Sequence, residues 1–119
     1  MKAVINIPYP GSVISKNHYK YHNAWFKKKA CVAWMEMLGW LVKPYHIEAW
    51  LLPITVKVSG TFKDKRSCPD LHNLLVVICD SIEEVTGIND RGYRTETGDA
   101  VIDKDKEPEL TIEITGGIK

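Results

Sequence analysis

No apolar run in this chain approaches the ~18 residues needed to cross a bilayer, so no membrane-spanning helix is expected. Met1 to Pro8 lacks the long apolar segment of a secretory leader. There is no C-x-x-C pair. The three cysteines, Cys31, Cys68 and Cys79, are odd in number and far apart, which points to reduced thiols and a cytoplasmic setting rather than a disulfide framework. Internal repeats, low-complexity tracts and linkers are also missing. What remains is 119 residues with 45% hydrophobic content and four Trp, enough for one ordered domain over residues 1–119 with a real core.

Acid is scarce at the amino-terminal end, where the first carboxylate is Glu36. Residues 1–66 carry eleven Lys/Arg against three Asp/Glu, a balance of +8, whereas residues 67–119 carry five against twelve, a balance of −7. The net charge of +1 conceals this division. A basic half joined to an acidic half suits an anionic partner meeting a metal site, or two surfaces that attract each other within the fold.

Ala3 to Ile7 reads as a short strand closed by Pro8, and Pro8 to Lys16 as a loop. A helical pattern follows from about Asn17 or Tyr19 to Leu41, with Ala24, Cys31, Trp34 and Leu38 as its apolar stripe and Gly39 and Pro44 marking its end. From Ala49 to Thr61, Ile54, Val56 and Val58 alternate with Thr55, Lys57 and Ser59, the period of a strand, and Pro53 implies an edge or bulge at its beginning. Pro69-Asp70 opens a second helix in which Leu71, Leu74, Ile78, Ile82 and Val85 recur at helical spacing, with Gly87 as the stop. Residues 91–104 read as a hairpin about Thr97-Gly98-Asp99, and Leu110 to Thr115 as a last strand. The order β-α-β-α-β-β-β predicts an α+β fold, a mixed β-sheet with two main helices packed on it.

Chemistry concentrates between Lys63 and Asp90. Lys63, Lys65 and Arg66 form a basic cluster that leads into Cys68-Pro69-Asp70-Leu71-His72-Asn73, and Asn89-Asp90 follows just past the helix. Carboxylates and imidazole beside positive charge are what metal-assisted phosphodiester hydrolysis uses. Each residue also has an ordinary role: Asp70 as an N-cap, His72 as an exposed first-turn residue, Asn89-Asp90 as a turn pair, and the basic cluster as a solvated strand end. Asp80 falls about 15 Å along the helix axis from Asp70, on nearly the same face as Asn73. Lys27, Lys28 and Lys29, with Lys16 and Lys20, make a second basic patch interleaved with Tyr19, Tyr21 and Trp25. His18 and His22 stand four residues apart, a possible metal pair without a third ligand nearby. Cys68, Asp70 and His72 together offer S, O and N donors that zinc accepts, at a spacing that matches no strong zinc pattern.

The stretch Asp70-Leu71-His72-Asn73-Leu74 resembles the helix-opening Asp-x-Asp-Asn-Leu motif of the RusA family of Holliday junction resolvases. Asp80 is similar to that family's mid-helix acid, Asn89-Asp90 to its paired acids in a turn, and the segment from Pro10-Gly11-Ser12 to Ser15-Lys16-Asn17 to its amino-terminal loop. The resemblance implies a homodimeric, Mg²⁺-dependent endonuclease of four-way DNA junctions, acting in recombination and repair. It makes Asp70, His72 and Asp90 the metal-binding and catalytic residues, with Lys63, Lys65, Arg66, Lys27 and Lys28 on DNA and Asn73, Asp80 and Asn17 in supporting places. His72 stands where the family has an acid, and Val76 where it has a lysine. Imidazole suits transition metals better than Mg²⁺, so Mn²⁺ is an alternative cofactor and general base an alternative role for His72. A non-catalytic junction-binding dimer and a small zinc-binding domain are the rival readings. The amino-terminal strand and exposed aromatics are the candidate dimer contacts.

Overall fold

The computed structural model describes residues 1–11, 14 and 29–117. In chain order its main elements are β1 (Lys2–Pro8), α1 (Lys29–Val42), β2 (Leu51–Phe62), α2 (Leu75–Thr86), β3 (Tyr93–Ile102) and β4 (Glu109–Gly117). The strands form one mixed sheet in the order β1-β4-β2-β3. β4 is antiparallel to both β1 and β2, whereas β3 runs parallel to β2. The α+β expectation of a mixed sheet with two helices packed on it holds.

Alternation decides which face the helices cover. In β1 every second residue is buried, and β2 repeats the pattern from Ile54 to Phe62. Ile112 and Ile114 on β4 complete the same face. Cys31, Trp34, Met35, Leu38 and Val42 form the inward stripe of α1, and Leu75, Ile78 and Ile82 that of α2. These side chains join one continuous core cluster. Each fully buried aliphatic side chain there contributes roughly 1.5–3 kcal/mol over leaving it in water.

Three sequence expectations change. Gly39 does not end the first helix; it is buried inside α1, where an added Cβ would stand 3.0 Å from Val85 Cγ1. The glycine lets the two helices approach, and the helix continues to Val42 before a 3-10 turn, Lys43–Tyr45, that contains Pro44. Residues 91–104 are not a hairpin. They contribute one ten-residue strand, β3. Thr97 pairs with Val58 and Ala100 with Gly60, so three steps on β3 match two on β2 and Gly98-Asp99 is a bulge, not a turn. The last strand extends further than expected, to Gly117. The expected start of the first helix at Asn17 or Tyr19, with Ala24 in its stripe, lies outside the described residues.

Pro53 sits at an irregularity in the β2–β4 register, between Leu51 and Thr55. Gly87 ends α2 in the left-handed conformation (φ 74°), its N–H bonded to Glu83 O at 2.8 Å.

Candidate functional site

Asp70 begins the site. It is extended (φ −75°, ψ 112°), and its Oδ1 accepts the His72 N–H at 3.1 Å. Leu71–Leu74 form a 3-10 turn that leads without a break into α2, because Leu74 and Leu75 both keep right-handed helical angles. Asp70 therefore caps one helical segment from Leu71 to Thr86. It remains exposed, and among the described residues its second carboxylate oxygen has no hydrogen-bond partner.

His72, Val76 and Asp80 recur at every fourth position and share a stripe of that segment. With Leu75 and Cys79 they form one wall of a cavity of about 390 Å³, and Tyr93 and Thr95 of β3 form the other. The structure thus places His72 and Asp80 along one groove. Asn73 is half-buried and does not line it. Val76 is 44% exposed, an apolar residue in an otherwise mixed groove.

Tyr93 fixes the far end of the groove. Its hydroxyl donates to Ile88 O at 2.8 Å. Burial pushes its pKa up to about 12; the Thr86 hydroxyl eases the shift, and Cys79, Glu83 and Asp80 add to it. Thr86 holds the same turn by donating to Ile82 O at 2.7 Å and accepting the Ile88 N–H at 3.2 Å. Asn89 then folds the chain into the 3-10 turn Asp90–Gly92: its Oδ1 accepts the Arg91 N–H at 3.1 Å and its O the Gly92 N–H at 2.9 Å. Asn89 is a turn residue by geometry. Asp90 is described through its backbone, and its side chain lies outside the described atoms.

The basic cluster divides. Lys63 Nζ lies 3.4 Å from Glu107 Oε1, and Lys2 Nζ 3.5 Å from Oε1 of the half-buried Glu113, so two ion pairs tie the basic half of the chain to the acidic half. Arg66 lines a different cavity, about 470 Å³, with Tyr9, Pro10 and Pro108. Lys65 is exposed. Asp64 shapes this loop by accepting the Ser67 N–H at 2.7 Å and the Ser67 hydroxyl at 2.9 Å, which hold its carboxyl below the usual range. Burial, and then the electrostatic influence of Cys68, raises the Tyr9 hydroxyl pKa. Asn17, Lys27 and Lys28, with Lys16, Lys20, His18 and His22, lie outside the described residues.

The backbone separates the two carboxylates that the sequence suggested would meet. The start of β3 pairs with the start of β2, Tyr93 beside Ile54, and their ends pair as Ile102 beside Phe62. Asp90 comes just before Tyr93, whereas Asp70 follows Phe62 through the basic loop. The twelve residues of α2 alone put about 18 Å between the two turns. Among the described residues no three His, Cys, Asp or Glu side chains gather in a set able to hold a metal; Cys68, Asp70 and His72 do not form one. Of the donors themselves, the Asp70 carboxylate suits Mg²⁺ or Mn²⁺ and the His72 imidazole suits Mn²⁺ better than Mg²⁺, and the two are too few to hold either ion by themselves.

Sequence reasoning missed Tyr93 and Thr95 as groove residues. The signal for them lay in the parallel return of β3, which a local pattern resembling a hairpin concealed. No protein-family model matches the chain, and no curated protein matches it. Among the described residues, no helix is long and apolar enough to cross a membrane.

Proposed function

We propose that this chain is a metal-dependent endodeoxyribonuclease that cleaves four-way DNA junctions in recombination and repair, acting as a cytoplasmic homodimer. The observation that carries this reading is Asp70. One carboxylate oxygen caps the helix, the other is open to solvent, and the exposed His72 and Lys65 stand in the same loop-to-helix passage. Lys65, Arg66 and, at the amino-terminal end, Lys27 and Lys28 would contact phosphates. A bound Mg²⁺ (or Mn²⁺) would polarise the scissile phosphate and make water a better nucleophile. Asp70 and Asp90 would hold that ion. His72 would complete the set or take the proton from the attacking water. Asp80, further along the groove, together with Asn73 and Asn17, would support this arrangement.

Asp70 and Asp90 stand at opposite ends of α2, so the reading requires Asp70 of one copy to work with Asp90 of another. Symmetric incision of a four-way junction likewise needs two sites about a two-fold axis. The test uses a synthetic junction and a linear duplex with Mg²⁺ or Mn²⁺. Junction-selective cutting is expected, lost in Asp70→Asn and in Asp90→Asn. When the two inactive variants are mixed and exchange subunits, about half of the dimers are mixed and each holds one intact site, so about a quarter of the wild-type sites return, seen as nicks. A mixture that stays inactive while the parent cuts would refute the shared site.

One observation favours a second reading. Val76 occupies the groove beside His72, where the resemblance places a lysine, and an aliphatic side chain cannot stabilise developing charge. A dimer that binds junctions without cutting them under either metal would identify that non-catalytic relative.

A further inference from the structure

The sheet has two outer strands, β1 and β3. The edge at β1 is partly capped by side chains. Tyr45 donates its hydroxyl to Val4 O at 3.4 Å, and Trp34 its indole N–H to Pro8 O at 2.9 Å. β3 differs. Eight of its ten residues are exposed, and among the described residues no side chain bonds to its backbone from the open side. A long, uncovered edge is a template for another strand unless something blocks it.

The ladder shows where a strand would fit. Tyr93 to Thr97 pair regularly with Ile54 to Val58, and the bulge begins at Gly98. That regular stretch is symmetric about Thr95. We infer that a second copy of this chain pairs antiparallel with β3 over Tyr93–Thr97, with the two-fold axis at Thr95. Each Arg94 then stands opposite Glu96 of the second copy, two opposite-charge pairs related by symmetry. Neither residue has an ion-pair partner among the described residues of its own chain. Moving the axis to lie between Thr97 and Gly98 would set Glu96 against Asp99 of the copy, like charge on like charge, across the bulge. Mixed charges on an edge strand commonly discourage pairing. Here their order, cation before anion about one centre, makes them complementary to themselves in a single antiparallel register.

The groove agrees with this occupant. Val76 is 44% exposed beside Leu75, Cys79 and Tyr93, along the same edge. A second sheet joined at β3 brings its own α2 to that seam and takes Val76 out of water. In this register Tyr93 of one β3 faces Thr97 of the other, and the chain before Tyr93 runs along the bulged half of its mate. The Asp90 turn of one copy is thereby directed toward the Phe62–Ile102 end of its mate, from which the loop to Asp70 departs. This consequence for the metal rests on the nuclease reading; the interface itself does not.

The test reads oligomeric state on the full chain by light scattering and sedimentation equilibrium, with far-UV circular dichroism to show that each variant folds. The parent is expected to be a dimer. Residues facing each other on the axis have Cα atoms about 4.5–5.5 Å apart, within disulfide reach. Thr95→Cys should therefore give a covalent dimer with diamide, whereas the parent thiols and Thr115→Cys on β4 should not. Arg94→Glu or Glu96→Arg alone should weaken dimerisation at least about tenfold, and the double exchange should restore it to within about threefold. A parent that stays monomeric overturns the inference. So does a dimer in which the Thr95→Cys variant fails to cross-link and the charge reversals change nothing. A dimer with these properties that cuts no junction retains the interface and removes the nuclease reading; a dimer that cuts junctions but fails both the cross-link and the charge-reversal tests does the reverse.

Discussion

Replacing Asp70 separates what its carboxylate does for the helix from what it does for chemistry. One bond is at stake in the fold, His72 N–H to Oδ1 at 3.1 Å. Asn offers an amide oxygen for the same bond and ranks with Asp at an N-cap, whereas Ala leaves the N–H to water. Loss of a capping oxygen costs about 0.5–2 kcal/mol, and the exposure of Asp70 argues for about 1 kcal/mol. Asp70→Ala should then lower the thermal midpoint by about 4 °C, for a chain of this size. Asp70→Asn loses only the favourable charge at the positive end of the helix, and should stay within about 0.5 kcal/mol of the parent. Urea unfolding followed by circular dichroism gives the stabilities, and junction cleavage under Mg²⁺ gives the activities. Activity should vanish in both variants although Asn leaves the fold nearly intact. An Asn variant as unstable as Ala would refute the cap. A fully active Asn variant would refute the carboxylate as a metal ligand.

His72→Asp puts an acid in the first turn of the same helix; it should raise stability by about 0.3–1 kcal/mol and keep or improve Mg²⁺-dependent cleavage, and total loss of an activity present in the parent would show that imidazole has its own role. A spectrophotometric titration should show a tyrosine ionising near pH 12, a step that Tyr93→Phe removes. Because its folded pKa is raised from 10.0, its contribution to stability is complete below pH 10 and lost as pH climbs to about 12, so Tyr93→Phe should flatten the decline in stability across that window. The Ser81 hydroxyl is buried with no hydrogen-bond partner among the described residues; Ser81→Ala should leave denaturant stability unchanged or raise it by about 1 kcal/mol, and a clear loss would reveal a partner. A Cβ on Gly60 would meet Phe62 Cζ at 2.7 Å and the Glu109 carbonyl oxygen at 3.0 Å, so Gly60→Ala should destabilise by about 1–3 kcal/mol, and a neutral result would show that β2 and β4 can separate there.

Local signals in this chain were legible where they repeat or cap. Ile54, Val56 and Val58 announced β2, and burial follows that alternation. Asp70 as cap and Gly87 as stop both appear as read, since each acts on backbone within a few residues of itself. Gly39 and Gly98 misled for one reason: a glycine marks either a break or a close approach, and only the neighbour decides. Val85 stands against Gly39, and Lys57 and Ser59 against Gly98, all remote in sequence. The site divided in the same way. His72 and Asp80 share a groove because both are on one helix at multiples of four. Asp90 was expected near Asp70 because a chain leaving a helix can turn back, but the parallel register of β3 carries it to the other end of the sheet.

The sequence alone determined the two periods, the helix cap, the stop and the chemistry available between Lys63 and Asp90, because these depend on residues within one or two turns of each other. The tertiary structure decided the direction of β3, the pairing of Tyr93 and Thr95 with His72 and Asp80 across the groove, and the exposed edge that Arg94 and Glu96 occupy. Strand direction and edge position follow from which distant segments bury apolar surface together, and that is a property of the whole chain packing at once.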